Sequence, residues 1–246
     1  MDRLLYVAMT GASQTMLAQA ANSHNLANVS TTGFRADLEA FRSLPVYGPG
    51  YPGRVYAMTE GKGVDFSPGS IITTGRDLDV AVNGSGWIAV QAPDGTEAYT
   101  RAGDLRVTSG GMLVTGAGHP VLGNGGPIAV PPYETLEIGA DGTISIRPLG
   151  QGAETLAVVD RIKLVDPPLQ DLEKGQDGFL RLKDGVTAFP EAHVQLVSGA
   201  LESSNVNAVD AMVRMIELAR QFELQVKTMK TAEENDAVSA RLMQLG

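Results

Sequence analysis

Residues 22–34, NSHNLANVSTTGF, close a long glycine-poor run that opens MDRLLYVAMTGASQTMLAQAA, and they stop at a glycine and an aromatic residue. Their counterpart lies at the other end of the chain. Residues 201–207, LESSNVN, open a second run, AVDAMVRMIELARQFELQVKTMKTAEENDAVSARLMQL, which contains neither Gly nor Pro. All 13 prolines fall between Pro45 and Pro190, and of the 29 glycines all but Gly11, Gly33 and Gly246 fall between Gly48 and Gly199. Helix-breaking residues are kept out of both ends, which predicts a long helix at each terminus and a different architecture between them.

The C-terminal run has helical period. Ala208, Met212, Met215, Ala219, Phe222, Val226 and Met229 follow alternating steps of four and three, the spacing of a coiled-coil seam. Asn207 stands where an N-cap belongs, and Asp210 occupies the capping-box position three residues on. A helix over residues 208–245 would be roughly 57 Å long, more than a compact domain of this size covers by itself. In the N-terminal run Leu5, Ala8, Met9, Ala12, Met16 and Ala20 line one face, and Gly33 is the expected C-terminal stop. Two such helices can pair with the middle of the chain looped out. The stripe they leave uncovered either meets neighbouring chains or belongs to a helical hairpin inside one globular fold.

Between the helices the period changes to two. Leu78, Val80 and Val82 recur at every second position, and a Gly-rich turn then leads into the apolar run 87–90. Asp94-Gly95, Asp141-Gly142 and Asp184-Gly185 are hairpin signals between β-prone runs. Residues 44–70 are too rich in Pro and Gly for regular structure and read as an extended arm or an irregular hairpin. The expected fold is therefore α+β: long N- and C-terminal helices pairing as a coiled coil, with a Gly/Pro-rich extended arm and a mainly antiparallel β domain inserted between them. The expected boundaries are 1–33 for the first helix, 34–70 for the arm, 71–200 for the β domain and 201–246 for the second helix.

Composition excludes several classes of function. The net charge is −9 over 246 residues, and no cluster of Lys and Arg offers a nucleic-acid face. No apolar run is long enough to cross a membrane, and the signal-like start is spoiled by Asp2 and broken at Thr10. With no cysteine, thiolate chemistry and disulfides are absent. His24, His119 and His193 lie in different zones without metal-ligand spacing, so no metal site is expected. The GSG at residues 84–86 has no third glycine and no following helix, and the GKG at 61–63 lacks the rest of a phosphate loop, so no cofactor is expected. Ser85 is not in a nucleophile elbow, and Asp77, Asp79, Asp94, Asp104, Asp141 and Asp184 sit in or beside probable turns. No catalytic residue is assigned. Two facing carboxylates in a cleft would instead favour a carbohydrate-binding or peptidoglycan-acting protein.

Residues 22–34 resemble the N-terminal motif of the flagellar axial proteins of the rod and hook, through Asn25, Leu26, Ala27, Asn28, Thr31, Thr32, Gly33 and Phe34. LESSNVNAVDAMVRMI resembles that family's C-terminal motif, with Ser203 where Gly is expected. DLDVAVNGSGWIAV and AYTRAGDLRVTSGGMLVTGAGHPVLG are similar to its β-domain pattern, with Trp87 in place of Phe. The tail resembles the proximal-rod type more than its distal-rod or hook paralogues. A tail or needle component unrelated to motility would explain the helices but not the other motifs. The resemblance implies export through the flagellar type III apparatus, homo-oligomerisation into a helical rod crossing the periplasm, and contact with adjacent rod proteins. It also implies that the terminal helices form the inner tube and transmit torque. The assembly residues then expected are Leu5, Ala12 and Met16 in the first helix, with Met212, Met215, Ala219, Phe222 and Val226 in the second. Asn25, Asn28, Thr32, Gly33, Phe34, Asn205 and Asn207 carry the motifs. Phe222→Asp, or truncation after Leu201, is expected to spare the β domain and abolish assembly.

Overall fold

A computed structural model describes residues 2–45, 55–150, 155–175 and 177–244. The chain is α+β, with a helix at each end and antiparallel strands between. It divides into two compact units: Met1–Val29, Asp37–Asp65 and Val206–Gly246 form the first, and Ser30–Ala36 with Phe66–Asn205 form the second.

The first unit holds α1 (Asp2–Ala27) and α2 (Ala208–Gln244). At 26 and 37 residues they are about 39 and 55 Å long at 1.5 Å per residue. They pack antiparallel: Gly11 of α1 faces Gln225 of α2, and the Asn22 amide donates to the Ala211 carbonyl at 2.8 Å. Helix α2 begins as its sequence dictates. The Asn207 side chain accepts from the Val209 N–H at 3.0 Å, and the Ala211 N–H closes the first turn on the Asn207 carbonyl. Helix α1 ends at Ala27, well before Gly33, so Gly33 is not its C-cap. The Asn28 N–H closes onto the His24 and Asn25 carbonyls instead.

The same unit contains an antiparallel hairpin of β1 (Asp37–Pro45) and β2 (Val55–Val64), with a bulge at Leu38/Glu39. Residues 46–54, rich in Pro and Gly, lie outside the described residues. Within the stretch read from sequence as an extended arm or an irregular hairpin, residues 37–45 and 55–64 are thus ladder-paired. Asn25 pins the start of β1: its amide donates to the Asp37 carbonyl and its carbonyl accepts the Asp37 N–H, both at 2.9 Å. That side chain imitates a neighbouring strand.

In the second unit β3 (Ile71–Thr73) pairs with β18 (Ala200–Glu202), and β4 (Val80–Asn83) with β17 (Gln195–Ser198). A five-stranded sheet has the order β14 (Leu164–Val165), β5 (Trp87–Gln91), β6 (Glu97–Thr100), β16 (Leu180–Leu182), β15 (Leu172–Lys174). Hairpin β7 (Leu105–Val107) and β8 (Leu113–Thr115), the short pair β9 (Leu122–Gly123) and β10 (Gly126–Pro127), and a sheet of β11 (Tyr133–Ile138), β12 (Thr143–Pro148) and β13 (Ala157–Arg161) complete it. Strand β12 shows the expected alternation, burying Ile144 and Ile146 while its neighbours face outward. These join Val80, Val82, Ile88, Val90, Leu105, Leu113, Val121, Ile128 and Ile162 in one apolar core. Asp94-Gly95 and Asp141-Gly142 turn hairpins as expected. Asp184-Gly185 does not: a turn closes on the Leu182 carbonyl, but no returning strand follows it.

Candidate functional site

Two places carry features that packing alone does not require. The first is the surface of the helix pair. The buried face of α1 is lined by small residues, and that of α2 mixes small and large ones. Ala8, Ala12, Thr15, Ala18 and Asn22 are buried on α1, and Ala211, Leu218 and Ala232 on α2. A Cβ on Gly11 would come to 3.0 Å from the end of the Gln225 side chain, which packs against the glycine. Many large apolar residues lie elsewhere: Leu4, Tyr6, Met9, Met16, Leu17, Val209, Met212, Val213, Ile216 and Leu224 are all exposed. Ordinary amphipathic helices do the reverse.

The assembly residues expected from sequence fall on both sides of this division. Ala12 is buried in the pair, and Met215, Ala219 and Phe222 are half-buried. Leu5, Met16, Met212 and Val226 are exposed. The inward row on α2 runs through Ala211, Met215, Leu218, Phe222, Gln225, Met229 and Ala232, again in steps of four and three.

The second place is in the β unit, where residues 30–36 and 200–205 meet. Gly33 has φ +66°, and a Cβ there would lie 2.3 Å from the Arg101 carbonyl carbon, so only glycine fits. Its N–H donates to the Glu202 carbonyl at 2.8 Å, and the Asn205 N–H donates to the Phe34 carbonyl. The Asn205 side chain accepts the Ala36 N–H at 2.8 Å and donates to the Ser67 carbonyl at 3.1 Å. The ring of Phe34 lies under the Lys174 ammonium, 4.4 Å away. Ser203 does not have a positive φ, so the family's glycine is dispensable here, and its hydroxyl accepts the Ser70 N–H. Of the other motif residues, Asn28 donates to the His24 carbonyl, Asn207 caps α2, and Thr32 is half-buried.

At the centre is a buried ionic cluster that the sequence reading did not assign. Glu202 is 1% exposed and accepts from three donors: Arg35 Nη2 and the Gly69 N–H on one oxygen, and Arg101 Nη1 on the other at 3.0 Å. Arg101 also donates to the Gly84 carbonyl at 2.8 Å. Both guanidinium groups lie against the Trp87 ring, at 5.7 Å for Arg35 and 5.0 Å for Arg101, and Phe66 meets the ring edge-on. Burial pulls the Arg101 guanidinium below its ordinary value, and the Glu202 carboxylate pushes it back. The available sequence signal was the placement of charged residues inside otherwise small or apolar motifs: Arg35 after TTGF, Glu202 in LESSN and Arg101 in AYTRAG.

Among the described residues no group of His, Asp and Glu is arranged to hold a metal ion, and no helix is long and apolar enough to cross a membrane. The geometry is that of a subunit whose β half closes its core alone and whose helices leave theirs open. Sequence models agree on the class: residues 5–35 match the flagella basal body rod protein family, 81–146 the D1 domain of the flagellar hook protein FlgE/F/G family, and 197–242 the C-terminal region of the flagellar basal body rod FlgEFG proteins. The chain is 44% identical over its full length to the whole flagellar basal-body rod protein FlgF of Escherichia coli, and 42% to that of Salmonella typhimurium. It is 33% identical to the flagellar basal-body rod protein FlgG of Bacillus subtilis, covering 95% of this chain and 96% of that one. The chain belongs to the flagellar basal-body rod protein family, whose members are structural proteins of the rod and not enzymes.

Proposed function

We propose that this chain is a proximal-rod subunit that polymerises head to tail with its own copies and meets adjacent rod proteins at the ends of its segment. Export through the type III apparatus precedes assembly in the periplasm. The observation that carries this reading is the inverted burial of the helices. Met16, 57% exposed, and Ile216, also 57%, are bulky apolar groups on helices whose small residues are already buried. Helix pairs of this kind gain most of their stability when such stripes are covered, and a heterologous contact that does not close on itself yields a rod. The two helices act as a coiled coil within the subunit, residues 34–70 link them to the β unit, and torque passes through the covered stripes.

The structure also changes where the test should cut. Truncation after Leu201 removes Glu202 and strands two buried arginines in the β unit, so it would perturb more than assembly. Phe222 is half-buried within the pair and is equally ambiguous. Met16→Asp and Met212→Asp change side chains that are exposed in the single subunit. Each variant should melt like the unmodified protein as a monomer, yet fail to enter rods or restore motility in a strain lacking its own copy. Normal rods containing either variant would refute the reading.

A further inference from the structure

The buried cluster at Glu202 is short of negative charge and of hydrogen-bond acceptors. Arg35 and Arg101 are 4% and 6% exposed, and the carboxylate they share is Glu202, leaving an excess of one positive charge. The next carboxylate whose charge reaches Arg101 is Asp166, which is already engaged by the Ser85 hydroxyl at 2.7 Å and by His193 at 3.1 Å. His193 in turn also faces Glu191. The hydrogen-bond account is equally one-sided. Nε and Nη1 of Arg35, Nε of Arg101 and Nε1 of Trp87 are all buried and have no acceptor among the described residues. These atoms belong to three side chains stacked on one another.

Guanidinium and indole nitrogens only donate. A water set among them could accept two of their protons but would have to place its own two hydrogens where donors predominate, and it would leave the excess charge uncancelled. A monovalent anion has no hydrogens to place, accepts several N–H groups at once and neutralises the cluster. We propose that the Arg35, Arg101 and Trp87 stack binds one small monovalent anion of the halide class, taken up as the β unit folds. Because the donors are closed to solvent, the ion is enclosed and becomes part of the folded state.

Trp87 is the only tryptophan, so its emission reports on this site alone. Full-length protein would be unfolded and refolded in sodium chloride, bromide or gluconate at constant ionic strength, with the emission and Tm read in each. An ion that binds only the folded state stabilises it by mass action, so raising chloride from about 5 to about 500 mM against gluconate should raise Tm by about 5–10 °C. Bromide should do the same and quench Trp87 emission, and the quenching should persist after transfer to gluconate. Arg35→Met leaves Arg101 and Glu202 as a one-to-one pair, and should fold but lose the halide dependence. A Tm and emission indifferent to halide would overturn the proposal. So would a halide dependence of equal size in Arg35→Met, which would locate the effect at surface ions.

Discussion

Replacing Glu202 by Gln is the sharpest test of what holds the two terminal motifs together. The substitution keeps the shape of the side chain but turns one oxygen into a donor and removes the negative charge. Arg35, Arg101 and the Gly69 N–H now converge on that group, so Gln could keep one acceptor oxygen while its amide would point protons at a guanidinium. Two buried cations would lose the carboxylate they share. Removing one partner of a buried pair costs about 3–5 kcal/mol, and the sharing of one carboxylate by two arginines places this case toward the upper end. At about 2–4 °C per kcal/mol for a protein of this size, Tm should fall by about 10 °C or more. Arg35→Met should cost far less, about 1–2 kcal/mol, because the remaining Arg101–Glu202 pair is balanced. The assay is thermal unfolding followed by Trp87 emission, whose ring touches both arginines. If Glu202→Gln melted within about 2 °C of the unmodified protein, or no lower than Arg35→Met, the cluster would not be what secures the junction.

Two further outcomes follow from the same unit. Gly33→Ala should destabilise it by about 3 kcal/mol or more, since the residue would sit at positive φ with its Cβ against the Arg101 backbone, which cannot yield as a side-chain tip could; urea unfolding read at Trp87 measures this, and a change under about 1 kcal/mol would contradict the contact. Burial pushes the Tyr99 hydroxyl up to about 12, with the Glu97 carboxylate it bonds adding to the effect. A raised value means that the folded state keeps a proton the unfolded state gives up. The stability this group contributes is therefore whole below about pH 10 and lost as pH rises toward about 12. Ultraviolet titration should show one tyrosine lagging the others, and the lag should vanish in Tyr99→Phe.

How much of this was legible in sequence varies with the physics behind each element. The terminal helices were plain because Gly and Pro mark where helices cannot be, and the Asn207 cap follows from side-chain chemistry that acts within three residues. The phase of the α2 seam was harder to read. Rows through Met212 and Val226 and through Leu218 and Gln225 both keep steps of four and three, and they share Met215, Phe222 and Met229. When a helix is apolar on more than one side, period alone cannot say which stripe its own chain covers. Gly33 reads in sequence as a helix stop, but what requires glycine there is a contact with Arg101, 68 positions away, and not the end of α1. Asp184-Gly185 had the chemistry of a hairpin and lacked a strand to return to. The charges of the ionic cluster stand out one at a time within their motifs, but they do not point to one another, and only the fold brings residues 35, 101 and 202 together.

The buried charges and the exposed hydrophobes answer one requirement between them. If the chain polymerises as proposed, with a β unit that folds alone and helices completed among its copies, one kind of interaction would not serve both. The β unit closes an apolar core within one subunit, and the segments that lead to the helices are held by directional bonds: Gly33 to Glu202, Ala36 to Asn205, Asn205 to Ser67. Apolar contacts would tolerate sliding at that point, whereas a carboxylate between two guanidinium groups is satisfied in few geometries. The helices, by contrast, keep their large side chains for surfaces a single chain does not cover, where burial is non-directional and grows with area.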